Sequence, residues 1–172
     1  MDSEEYERRI AHRFATFDQD HNGWIDRQDF SAAAAAVLAA FGVAARSVKG
    51  QALYSGAEAF WQGMAGIADV DGDQKVNRAE FVTGAVKRLR DQPQKFAEIA
   101  RPFLHGVIDV AAEGGSELTL ASAERALTAL GVAERIAPRV AAALDGDGDG
   151  RITEEDVLSA FAAYYVTPLP DA

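Results

Sequence analysis

Three stretches of twelve residues constrain this chain more than any other feature: DQDHNGWIDRQD from Asp18, DVDGDQKVNRAE from Asp69 and DGDGDGRITEED from Asp145. Each sets acidic or amide side chains at its first, third and fifth positions, an apolar residue at its eighth and a carboxylate at its twelfth. Clustered like charges repel in a compact chain unless a counter-charge joins them. Apolar residues at helical spacing lead into and out of these stretches. Tyr6, Ile10, Phe14 and Phe17 precede the first. Leu53, Ala57, Phe60, Met64 and Ile67 precede the second, and Phe81, Ala85 and Leu89 follow it. Ile136, Val140 and Leu144 precede the last, with Val157, Phe161 and Tyr165 after it. Another stripe, Phe96, Ile99, Phe103 and Val107, contains Pro102, which is expected to kink its helix. Ser3 is placed to cap the first helix, and Gly131 to end the one containing Leu127 and Leu130. No segment reads as a strand of useful length. A repeated helix–loop–helix, and so an all-α fold, is expected.

The loops offer oxygen donors, the preference of a hard cation such as calcium, which takes six to eight oxygens at about 2.3–2.6 Å. In the first loop Asp18, Asp20 and Asn22 take positions 1, 3 and 5, Trp24 offers its carbonyl at 7, Asp26 stands at 9 and Asp29 at 12. In the second the same places fall to Asp69, Asp71, Asp73, Lys75, Asn77 and Glu80. In the last they fall to Asp145, Asp147, Asp149, Arg151, Thr153 and Asp156. Gly23 and Gly150 supply the sharp turn at position 6, where Gln74 stands in the second loop at a cost of roughly 1 kcal/mol. Twelve of the 27 acids occupy ligand positions, so three calcium ions would take the net charge from −10 to about −4.

A fourth loop, near 111–122, has lost this chemistry. With Leu118 at position 8, Ala111, Glu113, Gly115 and Ser122 fall at 1, 3, 5 and 12, leaving one carboxylate. It is expected to bind nothing and to survive as a scaffold. Such loops pair through short antiparallel contacts at position 8, with Ile25 opposite Val76 and Leu118 opposite Ile152.

Four such units over essentially the whole chain, one of them without ligands, resemble the calerythrin and sarcoplasmic calcium-binding protein group of EF-hand proteins. The long connection from Asp18 to Asp69 fits that resemblance. It implies two EF-hand pairs packed face to face in a compact arrangement, here residues 1–91 (loops 18–29 and 69–80) and 92–172 (the degenerate loop and loop 145–156), divided at Asp91–Gln92–Pro93. It also implies calcium buffering, with signalling as a further role. The chain departs from the group in two ways. Its third loop, not its second, is the atypical one, and two loops end in Asp, so the group's bidentate glutamate carries over only to Glu80.

A net charge of −10 argues against nucleic acid and anionic membranes as partners. The absence of cysteine removes disulfides, zinc thiolates and thiol catalysis. The charged N-terminus has no apolar signal core. A cytoplasmic monomer is expected. His12, His21 and His105 are scattered, and no nucleophile motif or phosphate loop accompanies them, so no enzyme activity is expected. Intracellular calcium buffering or storage is the leading reading. A sensor that exposes an apolar surface to one dedicated protein target is the alternative, disfavoured as a promiscuous device because Met1 and Met64 are the only methionines. A dockerin-like module fails on length and on the full helix before the first loop. Trp24 and Trp61 are expected to pack, with contact to a partner as the alternative. Magnesium is a second candidate ion for the loops ending in Asp29 and Asp156. An aspartate reaches with one oxygen where glutamate gives two, and six-fold coordination suits magnesium.

Overall fold

The computed structural model describes residues 2–165, less the side chains at 88, 89, 164 and 165; the stripe positions Leu89 and Tyr165 therefore lie outside the described residues. The helices run α1 (Ser3–Phe17), α2 (Arg27–Phe41), α3 (Val48–Ala68), α4 (Arg78–Glu80), α5 (Lys87–Asp91), α6 (Pro93–Ala111), α7 (Leu120–Ala129), α8 (Ala137–Leu144) and α9 (Glu154–Tyr165). A π-helical turn, Phe81–Val86, joins α4 to α5. Two-residue strands, β1 (Leu118–Thr119) and β2 (Arg151–Ile152), complete the order. Asp2, not Ser3, caps α1, accepting from the Glu5 N–H at 2.7 Å; an ionised carboxylate is the stronger acceptor at a helix N-terminus. Gly131 follows α7 at φ +101°. The Val132 N–H then returns to the Leu127 carbonyl and the Gly131 N–H to that of Thr128, the reciprocal closure that a left-handed residue permits.

Position 8 pairs as the pattern requires. Ile25 and Val76 exchange N–H···O bonds of 2.8 Å, and Leu118 stands opposite Ile152 in the β1–β2 ribbon. All four side chains are buried. A four-unit EF-hand architecture in two loop pairs results.

Helices α3 and α6 approach so closely that a β-carbon on Gly56 would sit 2.5 Å from the Pro102 carbonyl oxygen. The ring of Phe60 on α3 is the hub of the core: Phe30 and Phe17 lie 4.9 and 5.7 Å from it, and Phe161, Phe96 and Phe103 at 6.0–6.2 Å. One continuous apolar cluster therefore runs from Ile10 to Ile152 across both loop pairs. α6 passes through Pro102 as a single helix.

A further sequence expectation shifts. Ile136, placed on the apolar stripe, is exposed; Pro138 sets the start of α8 at Ala137, and Ile136 falls before it. Trp61, although off the main stripe of its helix, takes the packing role expected of it: it is 2 % exposed and lies against Phe30. The π-helical turn was not legible. It coincides with Gly84 backing onto the end of α3, where a β-carbon would lie 2.6 Å from the Ile67 carbonyl oxygen. No helix among the described residues is long and apolar enough to cross a membrane.

Candidate metal centres

The three acidic loops share one framework of hydrogen bonds. Position 1 ends the entering helix: Asp18, Asp69 and Asp145 follow Phe17, Ala68 and Leu144 directly, with ψ between 75° and 89° in place of the helical value. One oxygen of that aspartate accepts the N–H of position 6, Gly23 at 3.0 Å, Gln74 at 3.0 Å and Gly150 at 2.8 Å. The side chain at position 3 accepts from the N–H of position 5, and that at position 5 from the N–H of position 7, in every loop. Each bond orients an oxygen inward while satisfying a turn amide.

Positions 9 and 12 form a reciprocal cap on the exiting helix. The N–H groups of Asp26, Asn77 and Thr153 donate to Asp29, Glu80 and Asp156 at 2.9, 3.0 and 2.9 Å. In return the position-12 N–H groups donate to the side chains of Asp26, Asn77 and Thr153. This capping box fixes the last carboxylate to the start of its helix.

Carboxylate oxygens of Asp18, Asp20 and Asp29 come within 4.8 Å of one another, as do those of Asp69, Asp71 and Asp73, and those of Asp145, Asp147 and Asp149. Glu80 and Asp156 stand outside these sets of three; Glu80 spans its loop, accepting from the Val70 and Asn77 N–H groups. The arrangement asks for a cation. Asp145 Oδ1 is buried with no hydrogen-bond donor, an expensive state for a carboxylate oxygen that a bound ion would relieve. All-oxygen donors around the gap fit a hard divalent ion such as calcium.

Electrostatics tell the same story. Asp29 is 2 % exposed. Burial pushes its carboxyl up to about 6, helped by the charges of Asp20 and Asp26 and opposed by the Asp26 and Asp20 N–H groups. The Asp73 N–H holds Asp71 below the usual carboxylate range, and the Arg151 N–H does the same for Asp149. Asp147 accepts the Asp149 N–H, which lowers it, yet it is raised on balance by the Asp149 and Asp145 carboxylates around it.

No family model matches the chain. It is 25 % identical over 161 residues to calerythrin of Saccharopolyspora erythraea, covering 91 % of this chain and 90 % of that one. It superposes on the structure of a Streptomyces coelicolor calcium-binding protein with 64 % identity and a TM-score of 0.92, over 95 % of this chain and 99 % of that one. The chain belongs to the calerythrin-type EF-hand calcium-binding proteins. The fold extends further: calcium-loaded apo-aequorin of Aequorea victoria superposes with a TM-score of 0.72 at 18 % identity, over 97 % of this chain and 93 % of that one.

Within this calerythrin-type frame the third loop differs at its first residue. Ala111 has no side-chain oxygen to receive the turn amides, and α6 continues through it, capped by Ala112 in a helical conformation. Its left-handed residues are Glu113 and Gly114, in positions 3 and 4. In the three acidic loops they occupy positions 4 and 6: His21 and Gly23, Gly72 and Gln74, Gly148 and Gly150. Position 4 was missed by sequence reasoning, which took His21 only as non-liganding. Gly72 and Gly148 were the signal. Thr119 still caps α7 by accepting the Ser122 N–H at 3.1 Å, so positions 8, 9 and 12 outlive the ligands. Across the first loop pair, Lys75 Nζ lies 4.1 Å from the centre of the Trp24 ring, each being the seventh residue of its loop.

Proposed function

We propose that this chain binds three calcium ions, one in each acidic loop. The ligands would be Asp18, Asp20, Asn22 and Asp29 with the Trp24 carbonyl; Asp69, Asp71, Asp73 and Glu80 with the Lys75 carbonyl; and Asp145, Asp147, Asp149 and Asp156 with the Arg151 carbonyl. Asp26, Asn77 and Thr153, engaged as caps, would reach their ions through water. The single observation that carries this reading is the convergence of three carboxylates in each loop, held by the same bond from the position-6 amide to the first aspartate. The loops work as pairs, 1–91 and 92–172, with the third loop as scaffold.

In the cell the chain acts by binding, not catalysis, as a cytoplasmic calcium buffer. Its continuous core supports that role, because the Phe60 cluster ties the two pairs together and leaves few flexible methionines to line an opened groove. A second reading, calcium-dependent control of one protein target, is favoured by the S. coelicolor relative, which is described in terms of prokaryotic calcium-mediated regulation. Calorimetric titration with calcium, with and without millimolar magnesium, separates the readings. Three sites with affinities near 10⁻⁹–10⁻⁸ M and magnesium competition at the loops ending in Asp29 and Asp156 support the buffer; affinities of about 10⁻⁷–10⁻⁵ M support the regulator. Fewer than two ions would overturn both.

A further inference from the structure

Every loop with ligands has its exiting helix tied to another helix through loop position 10. Arg27 of α2 meets Glu58 of α3 at 2.9 Å, and Arg78 of α4 meets Glu7 of α1 at 3.0 Å. Glu7 and Glu58 each stand eleven residues before the first ligand of their own loop, so in the first pair the exit of one loop is tied to the entrance of the other. Position 10 of the last loop is Glu154, and the charges are reversed. Two residues of α6 hold it, Arg101 Nη1 at 3.4 Å and His105 Nδ1 at 2.7 Å. The same guanidinium reaches Glu155 at 3.1 Å and Glu98 at 2.7 Å. Position 10 of the third loop is Leu120, exposed and unable to form an ion pair.

These ties differ in weight. The Arg27 and Arg78 pairs are open to solvent on both sides, and isolated exposed pairs contribute little. Arg101 joins three carboxylates into a network, and Glu154 is the least exposed member of these ties, its side chain at 28 %.

We infer that Arg101, with His105, is a positioning residue that sets the affinity and ion preference of the loop-four site; the inference rests on Asp156 being a calcium ligand there, as proposed above. Glu154 and Glu155 immediately precede Asp156. An aspartate is one methylene shorter than the usual glutamate and cannot make up for a displaced helix start. Whatever holds the first turn of α9 therefore decides whether the Asp156 carboxylate reaches the ion. Calcium, with six to eight ligands at about 2.3–2.6 Å, forgives a displacement that magnesium, octahedral at about 2.0–2.1 Å, does not. The latch thus supports both ions, and magnesium more.

Two variants separate positioning from plain charge. Arg101→Met leaves the surroundings of the site more negative, and Glu154→Gln leaves them less so, yet both open the same latch. The position-6 amides report each loop by nuclear magnetic resonance: Gly150 for loop four, Gly23 and Gln74 for the others. The full chain is titrated with calcium, then with magnesium, in competition with a chelator of known affinity. Each single variant is expected to weaken calcium at Gly150 by about fivefold and magnesium by more. The double variant should do no worse than either single, and Gly23 and Gln74 should be unmoved. Opposite changes in the two single variants would mean plain electrostatics and overturn the inference. So would unchanged loop-four affinities, or equal losses at all three loops. A parent Gly150 amide that ignores calcium would overturn the proposed calcium binding itself, and this inference with it.

Discussion

Asp29 is the residue at which metal binding and stability pull hardest against each other, and Asp29→Asn exposes the conflict. In chelated protein its carboxyl is pushed from an ordinary 3.8 to about 6 by burial. At about 1.4 kcal/mol per tenfold, ionised Asp29 then costs the metal-free fold about 3 kcal/mol at pH 7.5. The asparagine removes that cost but keeps only one of the two acceptors that serve the Asp20 and Asp26 N–H groups. Losing one such bond returns about 1 kcal/mol. The net gain is about 2 kcal/mol, a rise of roughly 4–8 °C in melting temperature for a chain of this size. The sign with pH follows from the raised value. The favourable contribution of Asp29 is complete below its unfolded value, near 3.8, and disappears as pH climbs through about 6. The advantage of the variant in chelator should therefore be largest at pH 7.5 and vanish by pH 4. In calcium the order reverses, because the variant has lost the negative charge and one of the two oxygens that Asp29 offers the ion. Thermal melts of both proteins in chelator and in calcium, at the two pH values, test this. A variant that melts lower than the parent in chelator at pH 7.5 would refute the burial argument.

Gln74→Gly should tighten calcium at loop two by about two- to threefold. It relieves a side-chain-bearing residue at φ +64°, worth about 1 kcal/mol, less the extra freedom glycine gives the empty loop; an unchanged Gln74-site affinity in calorimetry would count against it. Leu118→Ala should cost about 2–5 kcal/mol by emptying the contact with Ile152. It should also weaken calcium at loop four although loop three supplies no ligand, and a binding isotherm identical to the parent's would show that the scaffold role is wrong. Gly56→Ala should lower the melting temperature by several degrees through about 1–3 kcal/mol of overpacking, since its β-carbon would meet the Pro102 carbonyl oxygen at 2.5 Å; an unshifted melt would mean the two helices separate freely.

The acidic loops were readable because their chemistry is local: ligand spacing, turn residue and cap all fall within twelve residues. The position-8 pairing was readable for a related reason, since the loop register fixes which residue points inward, and even the ligand-free loop keeps Leu118 in place. What lay outside the sequence pattern depended on partners far along the chain. Gly84 and its π-helical turn answer to the carbonyl of Ile67, Trp61 to Phe30, and the closeness of α3 to Pro102. The ion pairs at position 10 are long-range in the same sense. Arg27 and Arg78 look like ordinary surface charge until Glu58 and Glu7 are brought beside them. Left-handed backbone at His21 escaped because a single histidine carries no turn signal of its own, whereas glycine at the matching place in the other loops does.

Trp24 has a use that its place in the fold makes available without any engineering. Of the two tryptophans, Trp61 is sealed under Phe30, while Trp24 is 36 % exposed and sits beneath the Lys75 ammonium. Its own carbonyl and that of Lys75 are the ones offered to the first and second ions, so filling either loop shifts the indole against the charge above it. Loop four has no such chromophore. Indole emission would follow the first two ions and fall silent for the third, and an optical titration of this protein would stop counting at two.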